Sequence, residues 1–214
     1  MLKTKIVCTL GPASSDMATI RAFIEAGMAV ARINFSHGTH EEHAQQIETV
    51  RQLAEEFNRA IAILADLQGP KLRIGLLPSE GLELVKGERV ALVDKSSSED
   101  LQSIPLPHPE VLRDVSSGDR ILLDDGLLEL KALEANEQGV TALVVAGGVL
   151  KSRKGLSLPH TSLTLPSVTE KDREDAAFAV EQQVDYFALS FVRRPQDVMH
   201  LRSYLEELGS DTPI

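Results

Sequence analysis

VARINFSHGTHEEH, residues 30–43, decides the fold. Its first half has strand character, yet polar side chains interrupt it at Arg32, Asn34 and Ser36. A period of two puts those three on one face and Ile33 with Phe35 on the other. Its second half starts a helix. Thr39 with Glu42 three residues later forms a capping box, and Ala44, Ile47, Val50, Ala54 and Phe57 follow at helical spacing. A strand that ends in a polar column and passes into a capped helix is a βα unit. The column is either a solvated edge or a site.

The same grammar extends in both directions. KIVCTL (5–10) reads as a buried strand ended by Gly11-Pro12. Ser14 or Ser15 is the expected cap of a helix that carries Met17, Ile20, Phe23 and Ile24 on one face and stops at Gly27. AIAILADL (60–67) is a third strand, so the first seventy residues are βαβαβ and the strands should be parallel. After Gly69-Pro70 the texture changes to short apolar segments parted by Gly, Asp and Asn, with hairpin signals at Lys86-Gly87 and Asp125-Gly126. Helical periodicity returns at Ser167, which is expected to form a capping box with Glu170. VDYFALSFV (184–192) is a fourth strand. Pro195 opens a helix with Val198, Leu201, Leu205 and Leu208 on one face, and Gly209 stops it.

Three segments follow: a first barrel part over 1–70, an inserted β module over 71–166, and a continued barrel part over 167–214. Setting the insertion aside leaves roughly 30 residues for each of four βα units, as in an eight-unit barrel of roughly 250 residues. The expected fold is therefore α/β: the first four units of a (βα)8 TIM barrel with a small β-barrel domain inserted after strand three. An open doubly wound sheet is the competing architecture, but it does not explain where the polar residues fall. Four parallel strands alone would leave apolar edges open.

Composition narrows the function classes. The chain has 214 residues, 43% hydrophobic and 25% charged, as soluble globular proteins do. A net charge of −10 disfavours nonspecific nucleic-acid binding. The single cysteine, Cys8, allows no intrachain disulfide and points to a reducing cytoplasm. No apolar run reaches membrane-spanning length.

In a barrel, chemistry sits at the carboxyl ends of the strands. Arg32, Asn34 and Ser36, then Asp66 on strand three and Ser190 on strand four, all fall there. His40 and His43 in HEEH invite a zinc reading. Zincins space their histidines four apart, though, and no third ligand is evident, so two solvated histidines are the better expectation.

TKIVCTLGPAS, GMAVARINFSHGTHEEH, LADLQGPKLRIG, LDDG, KGLSLP, LPSVTEKD and ALSFVR occur here in the order and context of the pyruvate kinase family, which the whole chain resembles. The resemblance implies transfer of the phosphoryl group of phosphoenolpyruvate to ADP. It also implies a (βα)8 domain carrying a β-barrel lid after strand three. By that resemblance Arg32 holds the phosphoryl group in flight, and Ser190 and Phe191 lie beside the substrate. His37, Arg73 and Lys154 serve the nucleotide phosphates, Asp125 is the lid aspartate that faces the nucleotide site, Asn34 is also on that side, and Pro12 touches the adenine. Plainer readings stay open: a barrel-crossing salt bridge for Arg32, a helix cap for His37, solvated turn charges for Lys154 and Asp125, core packing for Phe191 and a strand-ending turn for Pro12.

The resemblance also implies cofactors. Mg²⁺ or Mn²⁺ serves the full enzyme, with its ligands and the catalytic lysine on strands beyond Ile214, so this chain alone is expected to be silent and a fragment. Many relatives hold K⁺ at positions matching Asn34, Ser36, Asp66 and the Leu67 carbonyl, and carry Thr and Glu where this chain has Leu67 and Lys71. DLQGPK matches the K⁺-independent type. Lys71 is expected to supply the missing positive charge beside an otherwise unpartnered Asp66, with a surface lysine at the hinge as the alternative. Ser157, where many relatives have Asn, and Glu42, where some have Tyr, are departures that put their nucleotide contacts in doubt. A homotetramer is implied for the full-length enzyme. Readings from other classes are a fragment that binds nucleotide or phosphoenolpyruvate without turnover, a copy that pairs its open edges with another, and a barrel aldolase or lyase acting on pyruvate.

Overall fold

The computed structural model describes residues 4–95, 103–136, 139–161 and 163–214. The strands are β1 (Ile6–Leu10), β2 (Met28–Asn34), β3 (Ala62–Leu67), β4 (Leu82–Leu84), β5 (Arg89–Val93), β6 (Ser103–Pro105), β7 (Arg120–Leu123), β8 (Leu128–Asn136), β9 (Gly139–Ala146), β10 (Gly148–Leu150), β11 (Leu156–Ser157) and β12 (Tyr186–Leu189). The helices are α1 (Met17–Glu25), α2 (His40–Glu56), α3 (Pro109–Asp114), α4 (Glu170–Glu181) and α5 (Pro195–Glu207). They divide into two compact units: Met1–Pro70 with Pro166–Ile214, and Lys71–Leu165.

The first unit is an α/β layer. Its sheet runs β1-β2-β3-β12, with each of the three pairings parallel. Registry brings Thr9, Arg32 and Leu64 level across three strands, and Asn34, Asp66 and Ala188 level across the next set. The core holds Ile33 and Phe35 of the β2 segment, Ile63, Ala65 and Leu67 of β3, Ile20 and Ile24 of α1, Ile47, Val50 and Leu53 of α2, and Leu201 and Leu205 of α5. Each fully buried isoleucine or leucine contributes about 1.5–3 kcal/mol. KIVCTL is less buried than its apolar composition predicts. β1 lies at the sheet edge, and Ile6 and Val7 are 40% and 52% exposed.

Two caps differ from the sequence expectation. Asp16, not Ser14 or Ser15, caps α1 by accepting from the Thr19 amide. Ser14 instead turns back on Gly11 and closes the turn after β1. At α4 the capping box is Thr169 with Asp172, not Ser167 with Glu170. Asp can stand at the third helical position as Glu does, and the helix begins two residues later than Ser167 would require. The Thr39–Glu42 box forms as expected.

The second unit contains a six-stranded sheet of order β11-β7-β8-β9-β5-β6 and a two-stranded β4–β10 pair around a core of its own. β7 and β8 form the hairpin signalled by Asp125-Gly126, where Asp124, Asp125 and Gly126 all take positive φ. Lys86-Gly87 makes a turn but not a hairpin. β4 pairs with β10 while β5 pairs with β9, so the flanking strands enter different sheets.

Candidate functional site

Four polar side chains meet at the carboxyl ends of the strands of the first unit. Arg32 donates from Nε to Asp66 Oδ2 at 2.8 Å and pairs with the same oxygen through Nη2. Its Nη1 donates to Thr9 Oγ1 at 2.8 Å. Ser190 Oγ donates to the other Asp66 oxygen at 3.4 Å. The parallel register causes this convergence. Arg32 is level with Thr9 on one side, while Asp66 lies two residues further along β3 on the other. The guanidinium is thus fixed at three corners while its side chain keeps 32% exposure, against 11% for Asp66. A cation so held presents a fixed fork to an anion arriving from solvent.

Asn34 and Ser36 join this column through the backbone. Asn34 Oδ1 accepts from the Ser36 amide at 3.0 Å, and the Phe35 amide donates to the Asp66 carbonyl at 3.0 Å. His37 is exposed just beyond, its amide on the Asn34 carbonyl. Leu67 is buried and Pro12 is exposed in the turn after β1. Phe191 is 52% exposed at φ 58, with its ring over Gly69.

The structure corrects one premise of the Lys71 expectation. Asp66 is not an unpartnered carboxylate, because Arg32 already neutralises it across the sheet. Lys71 belongs to the second unit and is half-buried there. In that unit Arg73 donates to the Arg153 carbonyl at 2.7 Å, and Lys154 pairs with Asp124 at 2.8 Å rather than with Asp125. Asp125 and Ser157 are exposed.

Of the two HEEH histidines only His40 keeps solvent access, its side chain 40% exposed. His43 is 5% exposed beneath the Phe35 ring at 4.6 Å, and burial pushes its imidazole below the ordinary value. His40 stacks on Phe178 and faces Asp175 at 2.8 Å. Among the described residues no group of three or more His, Cys, Asp or Glu side chains gathers to hold a metal.

Thr9 and the acidic residues of α4 and α5 escaped the sequence reading. Asp172 is fully buried and accepts from the Gly69 amide at 2.9 Å as well as from Thr169. Asp197, 2% exposed, accepts from the amides of Arg193 and Arg194. Burial pushes its carboxyl up, but those amides outweigh it and hold it below the usual range. The signal was available for Asp172, in the spacing of Thr169 and Asp172. Nothing comparable marks Thr9.

The comparisons with known proteins agree with one another. The family model described as pyruvate kinase, barrel domain, matches residues 1–214. A pyruvate kinase of Thermococcus litoralis is 45% identical over 209 residues, covering 98% of this chain and 44% of that protein. One of Geobacillus stearothermophilus is 44% identical over 95% of this chain and 35% of its own length. One of Staphylococcus aureus is 43% identical over 97% and 36%. The chain therefore spans less than half the length of each of these relatives. Among the described residues no helix is long and apolar enough to cross a membrane.

Proposed function

Since the chain belongs to the pyruvate kinase family, we propose that it supplies part of a phosphotransferase that moves the phosphoryl group of phosphoenolpyruvate to ADP. One observation carries this reading: the Arg32 guanidinium is held by Asp66 and Thr9 at the ends of three neighbouring strands and keeps an exposed side. A transferring phosphoryl group spreads negative charge over its equatorial oxygens, so a fixed cation stabilises it at little reorganisation cost. In this reading Ser190 and Phe191 flank the substrate. His37 with Arg73, Lys154 and Asp125 serve the nucleotide, and Pro12 lies by its base.

The finer architecture belongs to the same proposal. The β1-β2-β3-β12 sheet is the first half of an eight-stranded barrel, and Lys71–Leu165 is its lid. A divalent ion such as Mg²⁺ would supply charge neutralisation from ligands outside the described residues. Asn34, Ser36, Asp66 and the Leu67 carbonyl have the oxygen chemistry of a monovalent-cation site. With Arg32 on Asp66, the case for Lys71 as the K⁺ substitute rests on the DLQGPK resemblance. Lys71→Glu in the full-length enzyme should create K⁺ dependence, and unchanged K⁺ independence ends that part.

The central test is Arg32. In the full-length enzyme Arg32→Met should cost about 100-fold or more in kcat/KM, and Arg32→Lys should restore little because a point charge lacks the fork. An Arg32→Met enzyme with parental kcat/KM would overturn the reading. A non-catalytic fragment that binds nucleotide or phosphoenolpyruvate is the second reading. Phosphoenolpyruvate titration beside a coupled pyruvate assay on the 214-residue chain separates the two.

A further inference from the structure

In the same unit as the Arg32 column, three side chains from two helices form a relay of contacts, His40 to Asp175 to Lys171, that ends on one backbone carbonyl. Lys171, in the first turn of α4, donates from Nζ to the Phe35 carbonyl at 2.9 Å and to Asp175 Oδ2 at 2.5 Å. Asp175, one turn later, lies 2.8 Å from His40 Nε2 at the start of α2 through its other oxygen. The Asp175 side chain is only 3% exposed, so it serves as the common acceptor for two helices. His40 lies flat on Phe178, with ring centroids 4.2 Å apart and planes at 8°. The Phe35 ring stands edge-on to both.

The carbonyl that Lys171 grips belongs to the peptide plane joining Phe35 to Ser36. The N–H of that same plane donates to Asn34 Oδ1. A peptide is planar, so fixing its oxygen fixes the direction of its N–H. β2 ends at Asn34, and beyond it no strand ladder holds this plane. The charge-assisted contact from Lys171 does so instead. We propose that Lys171, steadied by Asp175 and His40, is a positioning residue that locks the Phe35–Ser36 peptide and thereby aims the Asn34 carboxamide and Ser36 beside Arg32. Lys171 acts through the backbone and does not itself touch substrate. Its helix start and β2 are distant in sequence, which is why the pair was invisible in the βα grammar.

The functional half of this inference rests on the proposed phosphoryl grip, but the geometric half does not. Amide hydrogen exchange and NMR on the 214-residue chain test the geometry. Lys171→Met should speed exchange at Ser36 by about tenfold or more and shift the Asn34 carboxamide resonances, while amides of β1 and α1 keep parental rates. Lys171→Arg, which can reach both acceptors, should restore the parental spectrum. Parental exchange at Ser36 in Lys171→Met, or a uniform increase across the whole unit, overturns the proposal. Should Lys171→Met fail to fold for want of a partner for Asp175, Lys171→Met/Asp175→Asn removes the stranded charge, and the same two outcomes decide. In the full-length enzyme, Lys171→Met should raise KM for phosphoenolpyruvate about tenfold, with Lys171→Arg near parental. A loosened Ser36 with unchanged KM overturns the positioning role. If Arg32→Met also leaves KM and kcat unchanged, it is the site reading that has failed.

Discussion

The two units solve the interior differently. In the Lys71–Leu165 unit the core is aliphatic, and Ser103 is its one buried polar residue among those described. The other unit buries His43, Ser167 and four carboxylates, Asp66, Asp172, Asp175 and Asp197. A buried carboxylate is costly unless its oxygens are satisfied, and each of these four is. Asp66 takes Arg32, Asp172 takes Gly69 and Thr169, Asp175 takes Lys171 and His40, and Asp197 takes the backbone before α5. All four lie at the carboxyl end of a strand or in the early turns of the helix that follows one. Hydrophobic burial is non-directional and holds a unit together, whereas a carboxylate with named donors fixes where a particular loop goes. The contrast identifies the end of the sheet that has to be held in place.

That contrast predicts which substitutions each unit should feel. The largest effect belongs to the aliphatic core: Leu130→Ala, at a fully buried position, should destabilise the Lys71–Leu165 unit by about 2–5 kcal/mol. Denaturant titration with exchange readout in both units checks it, and an equal loss in the other unit would break the two-core description. Next comes Asp172→Ala. It leaves the Gly69 and Thr169 amides without acceptors and removes the reciprocal half of the α4 capping box, a loss of about 3 kcal/mol confined to the first unit. A change under about 1 kcal/mol would show that water replaces the carboxylate there.

Legibility followed the same division. The βα grammar was readable because it is local: strand period, capping box and stop glycine lie within about twenty residues of each other. β2, α2, β3 and α5 fall where their periodicities place them. The convergence of Arg32 with Asp66 was legible only as two polar residues at strand ends, since their contact depends on parallel register. Nothing in EKDRED marks Lys171 and Asp175 for burial, because sequence spacing cannot tell a helix's outer face from one roofed by another helix. Lys86-Gly87 failed for the opposite reason. Its turn chemistry is local, but the partners of the flanking strands are not.

A third, smaller effect sharpens how the loops are held. Gly69 has φ 65, and an added Cβ would lie 2.8 Å from Phe191 Cδ2. Gly69→Ala should therefore cost about 1–2 kcal/mol and displace the Phe191 ring. Gly69→Ala/Phe191→Ala should recover the steric part and leave only the backbone part. If the double variant is no better than the single one, the ring is not what constrains the position.

The smallest effect is in pH, and its sign follows from burial. His43 is buried, and its folded pKa lies below the ordinary value of 6.5; desolvation leads, and the Asp175 charge only partly opposes it. The unfolded chain takes up that proton more readily. Stability from neutral His43 is therefore fully present above about pH 6.5 and falls as pH drops from there towards the folded pKa. Asp197 adds a separate, lower window. Its folded pKa lies below 3.8, so its contribution is present above that value and is lost as pH falls through the folded pKa. His43→Gln should flatten the stability profile of the first unit between pH 7 and 5.5 while leaving the acid limb below pH 4 in place. Amides of the Lys71–Leu165 unit should not respond to it. A parental slope between pH 7 and 5.5 in His43→Gln would move the titration to another group and detach pH sensitivity from the buried polar interior.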